Sequence, residues 1–266
     1  MKLSKKLTLY QKIQLKNSQN KLTLLLLGVI LNINVLYSQT NKETSIYNLF
    51  DKVIGKENLA IYNGSRHVNY YRTIDNSHSY YFSNNFSIGN LNYEGQNYYN
   101  LDLKYDVNND VLVLKATGEF DYLGINVIKE KTASFSINNK TFINVNYNNA
   151  TCPDYMNGYY QEVIYSPDNV LYIKHHKNRR KIIDNKRISD AANQNTFDEF
   201  IEKNDFILKH KGNYYKISSK SDIIKIFPES KSKIKNYYNN YGHLEESDKK
   251  IFIENLIKEI SSTPSN

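Results

Sequence analysis

The chain has 266 residues, with 35 lysines and arginines against 27 acids, a formal charge of +8 and a single cysteine. One cysteine excludes an intramolecular disulfide and a thiolate zinc cage. Residues 1–38 hold six lysines and no acid; the remainder carries 29 basic against 27 acidic side chains, a net +2, which is too small an excess to argue for a nucleic-acid partner.

The most apolar stretch is Leu22-Thr-Leu-Leu-Leu-Leu-Gly-Val-Ile-Leu31. It follows a purely basic segment and precedes Val35-Leu-Tyr-Ser-Gln39. A positive segment, an apolar run of about 7–15 residues and a small residue at the cut form the pattern of a secretory signal peptide. Cleavage is expected after Ser38. A membrane anchor fits less well, because a span needs about 20 apolar residues and Asn32 and Asn34 interrupt the run. The expectation is export to the periplasm, the outer membrane or the medium, with residues 1–38 removed and 39–266 folding as a single α+β domain with no transmembrane span.

Thr44 to Gly55 predicts a short amphipathic helix, since Ile46, Leu49, Phe50, Val53 and Ile54 recur at a 3.6-residue period. From about Ser79 to Tyr147 the period changes to two. In Asn97–Val107 the alternation places Tyr99, Leu101, Leu103, Tyr105 and Val107 on one face, and Tyr98, Asn100, Asp102, Lys104 and Asp106 on the other. Turn signals at Glu94-Gly95, Asn108–Asp110, Thr117-Gly118 and Asn138–Lys140 divide the region into strands near 86–93, 97–106, 110–116, 119–129, 132–138 and 141–146, read as an antiparallel meander. A loop at 148–158 holds Cys152-Pro153. Further strands are expected at 159–165 and 170–176, and at 205–211 and 214–217 around Gly212-Asn213. The tail, about 219–261, predicts three helices. The first starts at Ser219 or Ser221, the second is opened by Pro228 and stopped at Gly242, and the third is capped by Ser247 with the stripe Ile253, Leu256, Ile257 and Ile260. The fold class is α+β: a mainly antiparallel β core, open barrel or sandwich, with an N-terminal helix and a C-terminal helical cap.

Catalytic patterns are sparse. The six histidines form no His-x-x-x-His or His-Glu-x-x-His pattern and read as surface or hairpin residues. Gly-x-Ser-x-Gly, a phosphate-cradling glycine loop and a calcium loop do not occur. No catalytic, metal-binding or cofactor-binding residues are expected, and no cofactor. The strongest local anomaly is the basic run Lys174, Lys177, Arg179, Arg180 and Lys181, continued by Lys186 and Arg187, which would concentrate positive charge able to attract an envelope polyanion. Tyrosine is abundant, at 24 residues, and recurs in adjacent pairs; one ring of each pair on a strand would face outward, a platform for sugars or peptides.

Leu59-Ala-Ile-Tyr-Asn-Gly64, Asn92-Tyr-Glu-Gly-Gln-Asn-Tyr98 with Leu101 to Asp106, Tyr214-Tyr-Lys-Ile-Ser-Ser219 and the Tyr-Ser-Gln end of the leader resemble stretches of uncharacterised secreted or envelope proteins of the Bacteroidetes. The resemblance implies an envelope location and no activity. Taken together, the sequence points to an exported, non-catalytic binding or envelope-assembly protein, whose partner is an envelope lipid, a glycan or a protein. The alternatives are a secreted hydrolase with an unrecognised site and a polyanion-binding surface protein using residues 174–187.

Overall fold

The computed structural model describes residues 42, 44–55, 58–74, 76–118, 123–149, 151–183 and 196–262. The expected leader and its cleavage site lie outside the described residues. The chain divides into two units, Met1–Val53 and Ile54–Asn266. In the first, residues 44–53 follow helical backbone, with Ile46, Leu49, Phe50 and Val53 exposed.

The second unit is built on one antiparallel sheet. Its strands are β1 (Ser65–His67), β2 (Ser87–Tyr93), β3 (Gln96–Asp106), β4 (Val111–Lys115), β5 (Gly124–Asn126), β6 (Thr132–Ile137), β7 (Lys140–Asn144), β8 (Tyr159–Ser166), β9 (Asn169–Lys174), β12 (Asp205–His210) and β13 (Asn213–Ile217). Two more, β10 (Lys177–Ile183) and β11 (Thr196–Glu202), pair only with each other as an arm between β9 and β12. The spatial order is β1-β5-β4-β3-β2-β6-β7-β8-β9-β12-β13. The expected barrel is corrected here: among the described residues the sheet is a single open layer with edges at β1 and β13. The expected meander is also interrupted, because β6 pairs with β2 rather than β5, so two hairpin series diverge from a shared centre.

Burial explains the strand patterns. On β3, Leu101, Leu103 and Tyr105 are buried as alternation predicts, but Tyr98 is buried and Tyr99 is not. The parity flips at a bulge: pairing with β2 shifts between Gly89 and Leu91. Asn100 takes φ 56° there, its N–H donating to Asn90 Oδ1 at 3.2 Å. An extra residue at a bulge moves every following side chain to the other face. β9 is buried at five successive positions. Leu171 and Ile173 face one core, and Val170 and Tyr172 the other, which is why this strand reads as continuous rather than alternating.

The first core surrounds Tyr105, Phe135, Phe142 and Tyr159, whose rings meet edge-to-face or stacked at 4.8–5.8 Å. The second lies between β9, β12 and β13 and the helices α1 (Lys220–Ile226), α2 (Lys231–Ser247) and α3 (Lys249–Ser261). Ser219 and Asp222 form the capping box of α1. Two expected boundaries move. α2 runs through Gly242 to Ser247, and α3 is capped by Asp248, whose Oδ1 accepts from Ile251 N–H at 2.9 Å. The predicted stripe of α3 is buried, joined by Phe252. No helix among the described residues is long and apolar enough to cross a membrane.

Candidate functional site

Between β4 and the edge strand β1, the three-residue β5 makes a close approach that only glycine permits. Gly124 faces His67 across the ladder. A Cβ there would stand 2.6 Å from Val113 Cγ1 and 3.1 Å from His67 Cβ. A Cβ on Gly64 would meet the Asn126 carbonyl at 1.8 Å. Beside Gly124 lies a cleft of ≈ 420 Å³ lined by Arg66, His67, Asn69, Asn84, Phe86 and Lys104, with Tyr80 and Leu123. A neighbouring hollow of ≈ 320 Å³ shares Arg66, Leu123 and Gly124 and adds Tyr62, Ala116 and Ile125. Both volumes lie in the range of small-molecule sites, roughly 300–1,000 Å³.

The cleft wall opposite β1 comes from the irregular segment 68–86. Its end is stitched to β3, with Tyr81 N–H donating to the Tyr105 carbonyl at 2.7 Å and Val107 N–H to the Ser79 carbonyl at 3.0 Å. The β10–β11 arm holds the rest. Lys177 Nζ donates to the carbonyls of Tyr80 at 2.8 Å and His78 at 3.0 Å. Asp198 N–H donates to the Arg72 carbonyl at 2.7 Å, and Phe200 N–H to Ser77 Oγ at 2.8 Å. The Tyr71 ring stands edge-on to Phe200 at 4.9 Å. The arm therefore positions the residues that shape the cleft.

Two side chains define its chemistry. Lys104 Nζ lies 4.1 Å from the Tyr80 ring centroid and 4.6 Å from that of Phe86, and it donates to the Asn84 carbonyl at 3.0 Å. Burial lowers its pKa from the ordinary lysine value, and the Asp106 carboxylate works against that shift. Cation–π contacts of this kind hold a half-buried ammonium in place at about 0.5–2 kcal/mol. His67 sits in a chain of hydrogen bonds, with Nδ1 2.8 Å from Asn126 Oδ1 and Nε2 2.9 Å from the Tyr80 hydroxyl. Burial, aided by Asp106, pushes the Tyr80 phenol up to about 12. The Asn126 amide oxygen can only accept, so the arrangement that satisfies all three groups has Nδ1–H donating to Asn126 Oδ1 and the Tyr80 hydroxyl donating to Nε2. The Asn126–His67–Tyr80 chain has the outline of an activated nucleophile, but its terminal hydroxyl is buried and un-ionised, so the arrangement fixes geometry rather than supplying a reactive oxygen.

The basic run is placed residue by residue as follows. Arg179 and Lys181 both pair with the buried Asp198, at 2.7 and 3.1 Å. Arg180 pairs with Glu199 on the facing strand. Lys177 is committed to the carbonyls of segment 68–86. Lys174 pairs with Asp110 at 3.0 Å, which also binds Lys129 at 2.8 Å and accepts from the Tyr105 hydroxyl at 2.7 Å. Lys186 and Arg187 lie outside the described residues. The run thus meets carboxylates and carbonyls that close around it from β11, the β3–β4 turn and segment 68–86. Sequence reading also places the histidines at the surface, whereas His175 is buried. It lies against Tyr81 and Phe142 with Nε2 2.7 Å from Gln161 Oε1, and Gln161 Nε2 donates to Glu254 on α3 at 3.1 Å. Cys152 is half-buried, and its thiol donates to the Val145 carbonyl at 3.3 Å.

Arg66, His67, Lys104 and Phe86 come together without a sequence motif, because the strand that carries two of them is three residues long. Gly124 opposite them is the one local hint. Among the described residues no group of three or more His, Cys, Asp or Glu is placed to hold a metal ion. The chain matches no protein-family model, no curated protein and no solved structure.

Proposed function

We propose that this is an exported, non-catalytic binding protein of the cell envelope that engages its ligand in the cleft beside β1. The observation that carries the reading is the ammonium of Lys104, held half-buried between two rings at the floor of a preformed hollow, with Asn69, Asn84 and Arg66 around it. A pocket with a few convergent polar groups and aromatic walls is the usual form of a small-molecule or glycan site. The buried, protonated phenol of Tyr80 favours binding over acyl or glycosyl transfer at this place.

Export is supported by the basic–apolar–polar order of residues 1–39. Two measurements test the reading. N-terminal sequencing of protein recovered from the envelope or medium should begin at Gln39; protein recovered in the cytosol beginning at Met1 would contradict export. On an array of envelope glycans the full chain should retain specific members, and Asn84→Trp, which fills the cleft from an exposed position, should abolish retention. Retention unchanged by that substitution would remove the cleft from the account.

A further inference from the structure

Resting on the reading of this cleft as a binding site, we infer that its ligand is an acidic oligosaccharide, whose sugar carboxylate is received by Lys104. Charge comes first. Lys104 and Arg66 both line the cleft, Arg66 from the sheet face it shares with Ile125, Leu114 and Leu103 and Lys104 from the face of His67 and Gly124, and among the described lining residues there is no carboxylate. Lys104 makes no ion pair within 4.0 Å among the described residues; it donates to the Asn84 carbonyl, which leaves ammonium hydrogens for a ligand. The groups facing Lys104 are the rings of Tyr80 and Phe86, the Asn84 carbonyl and, beneath the phenol, Asp106. That carboxylate is turned to its own loop, accepting from Asn108 N–H at 3.0 Å, Asn109 N–H at 3.1 Å and Asn109 Nδ2 at 2.8 Å.

A simple anion would not need the rest of the lining. Asn69 and Asn84 offer amide donors and acceptors suited to hydroxyls. Phe86 offers a ring edge or face to the C–H surface of a pyranose. The same loop holds Phe82 at 73 % exposure and φ 55°, a backbone conformation that a bulky residue rarely adopts, with Ser83 N–H returning to the Tyr81 carbonyl. A tight turn that keeps an aromatic ring in water is costly unless the ring has something to meet. The adjoining, more apolar hollow shares Arg66, Leu123 and Gly124 with the cleft, which favours a short chain of sugars over one ring. A lipid tail would leave the remaining Lys104 ammonium hydrogens and the Asn84 side-chain amide without a ligand partner, which is unfavourable in a desolvated site.

The test is isothermal titration of the full chain with tri-galacturonate, with its fully methyl-esterified form and with inorganic phosphate. Tri-galacturonate should bind, the uncharged ester at least tenfold more weakly, and phosphate alone more weakly still. Affinity for the acid should fall as salt rises. Lys104→Met keeps the stem packed on the rings and should lose at least tenfold; Arg66→Gln, at the rim, should lose less than that; Lys216→Met, on the far edge strand over Tyr155, should change nothing. If Lys104→Met does not fold, the acid-against-ester difference and the salt dependence of the unaltered chain decide the matter. An ester that binds as tightly as the acid overturns the charge assignment while leaving cleft binding intact. Phosphate binding as tightly as tri-galacturonate overturns the sugar assignment. Failure of all three to bind overturns the inference, and the glycan-array result with Asn84→Trp then decides separately whether the cleft binds anything.

Discussion

The two ends of the sheet are held by different physics. At the β13 end, α1–α3 cover β9 and β12 with Ile223, Phe227, Ile234, Phe252, Leu256 and Ile257, all at most 3 % exposed. This end is stabilised by apolar area removed from water. At the β1 end the cover is the irregular segment 68–86, pinned by Lys177, Asp198 and Phe200 through its carbonyls and the Ser77 hydroxyl. Polar attachment of this kind contributes less per contact and leaves groups free to serve a ligand. The helical end adds an apolar core of its own beyond the first core, and the polar cover at the β1 end can keep a charged cleft open.

His175 stands where the two regions meet, packed on the first core and linked through Gln161 to α3, so altering it should blur the distinction most. Burial, with help from Lys250, holds its pKa down to about 3 against an ordinary 6.5. Between those values the unfolded chain takes up a proton that the folded chain refuses. Stability is therefore full above pH 6.5 and falls as pH drops towards 3, by on the order of 4–5 kcal/mol over the whole window. Burial pushes Asp110 up, but Lys174, Lys129 and Tyr105 pull it lower still, so its own contribution is lost only below the ordinary carboxylate value. Urea melts between pH 7 and 4 should show the acid loss, and His175→Leu should flatten that slope while lowering stability at pH 7.

Leu256→Ala tests the apolar end alone. It should cost about 3 kcal/mol in urea unfolding and leave cleft affinity unchanged; a change in affinity would mean the two ends are coupled. Asp198→Asn tests the polar end. It weakens the Arg179 and Lys181 pairs and loosens the arm, with an expected cost of about 1–2 kcal/mol, a faster amide exchange over 69–80 and a weaker cleft. The smallest effect is expected at the bulge. Asn100→Ala should cost about 1 kcal/mol because φ 56° penalises a Cβ without an amide, whereas Asn100→Gly should be near neutral.

The sequence made the greasy end legible and the polar end nearly invisible. The stripe of α3 could be read because one buried face at a 3.6-residue period leaves a repeating mark. β3 was legible on the C-terminal side of Asn100 and inverted before it, since a bulge changes which face a residue shares without changing its composition. The arm escaped notice because Lys177–Ile183 reads as charge. Its meaning appears only when Asp198 and Glu199 arrive opposite it from 19 residues further on. The cleft escaped for a related reason: Arg66, Lys104 and Gly124 lie on three strands whose adjacency follows from the order β1-β5-β4-β3, which no local pattern encodes.

Amide hydrogen exchange of the full chain with and without saturating tri-galacturonate is the most direct test. The account predicts slowed exchange confined to 65–69, 84–86, 104 and 123–125, with α1–α3 unchanged. Protection confined to the helices or to the β10–β11 arm, with the β1 end unaffected, would contradict it.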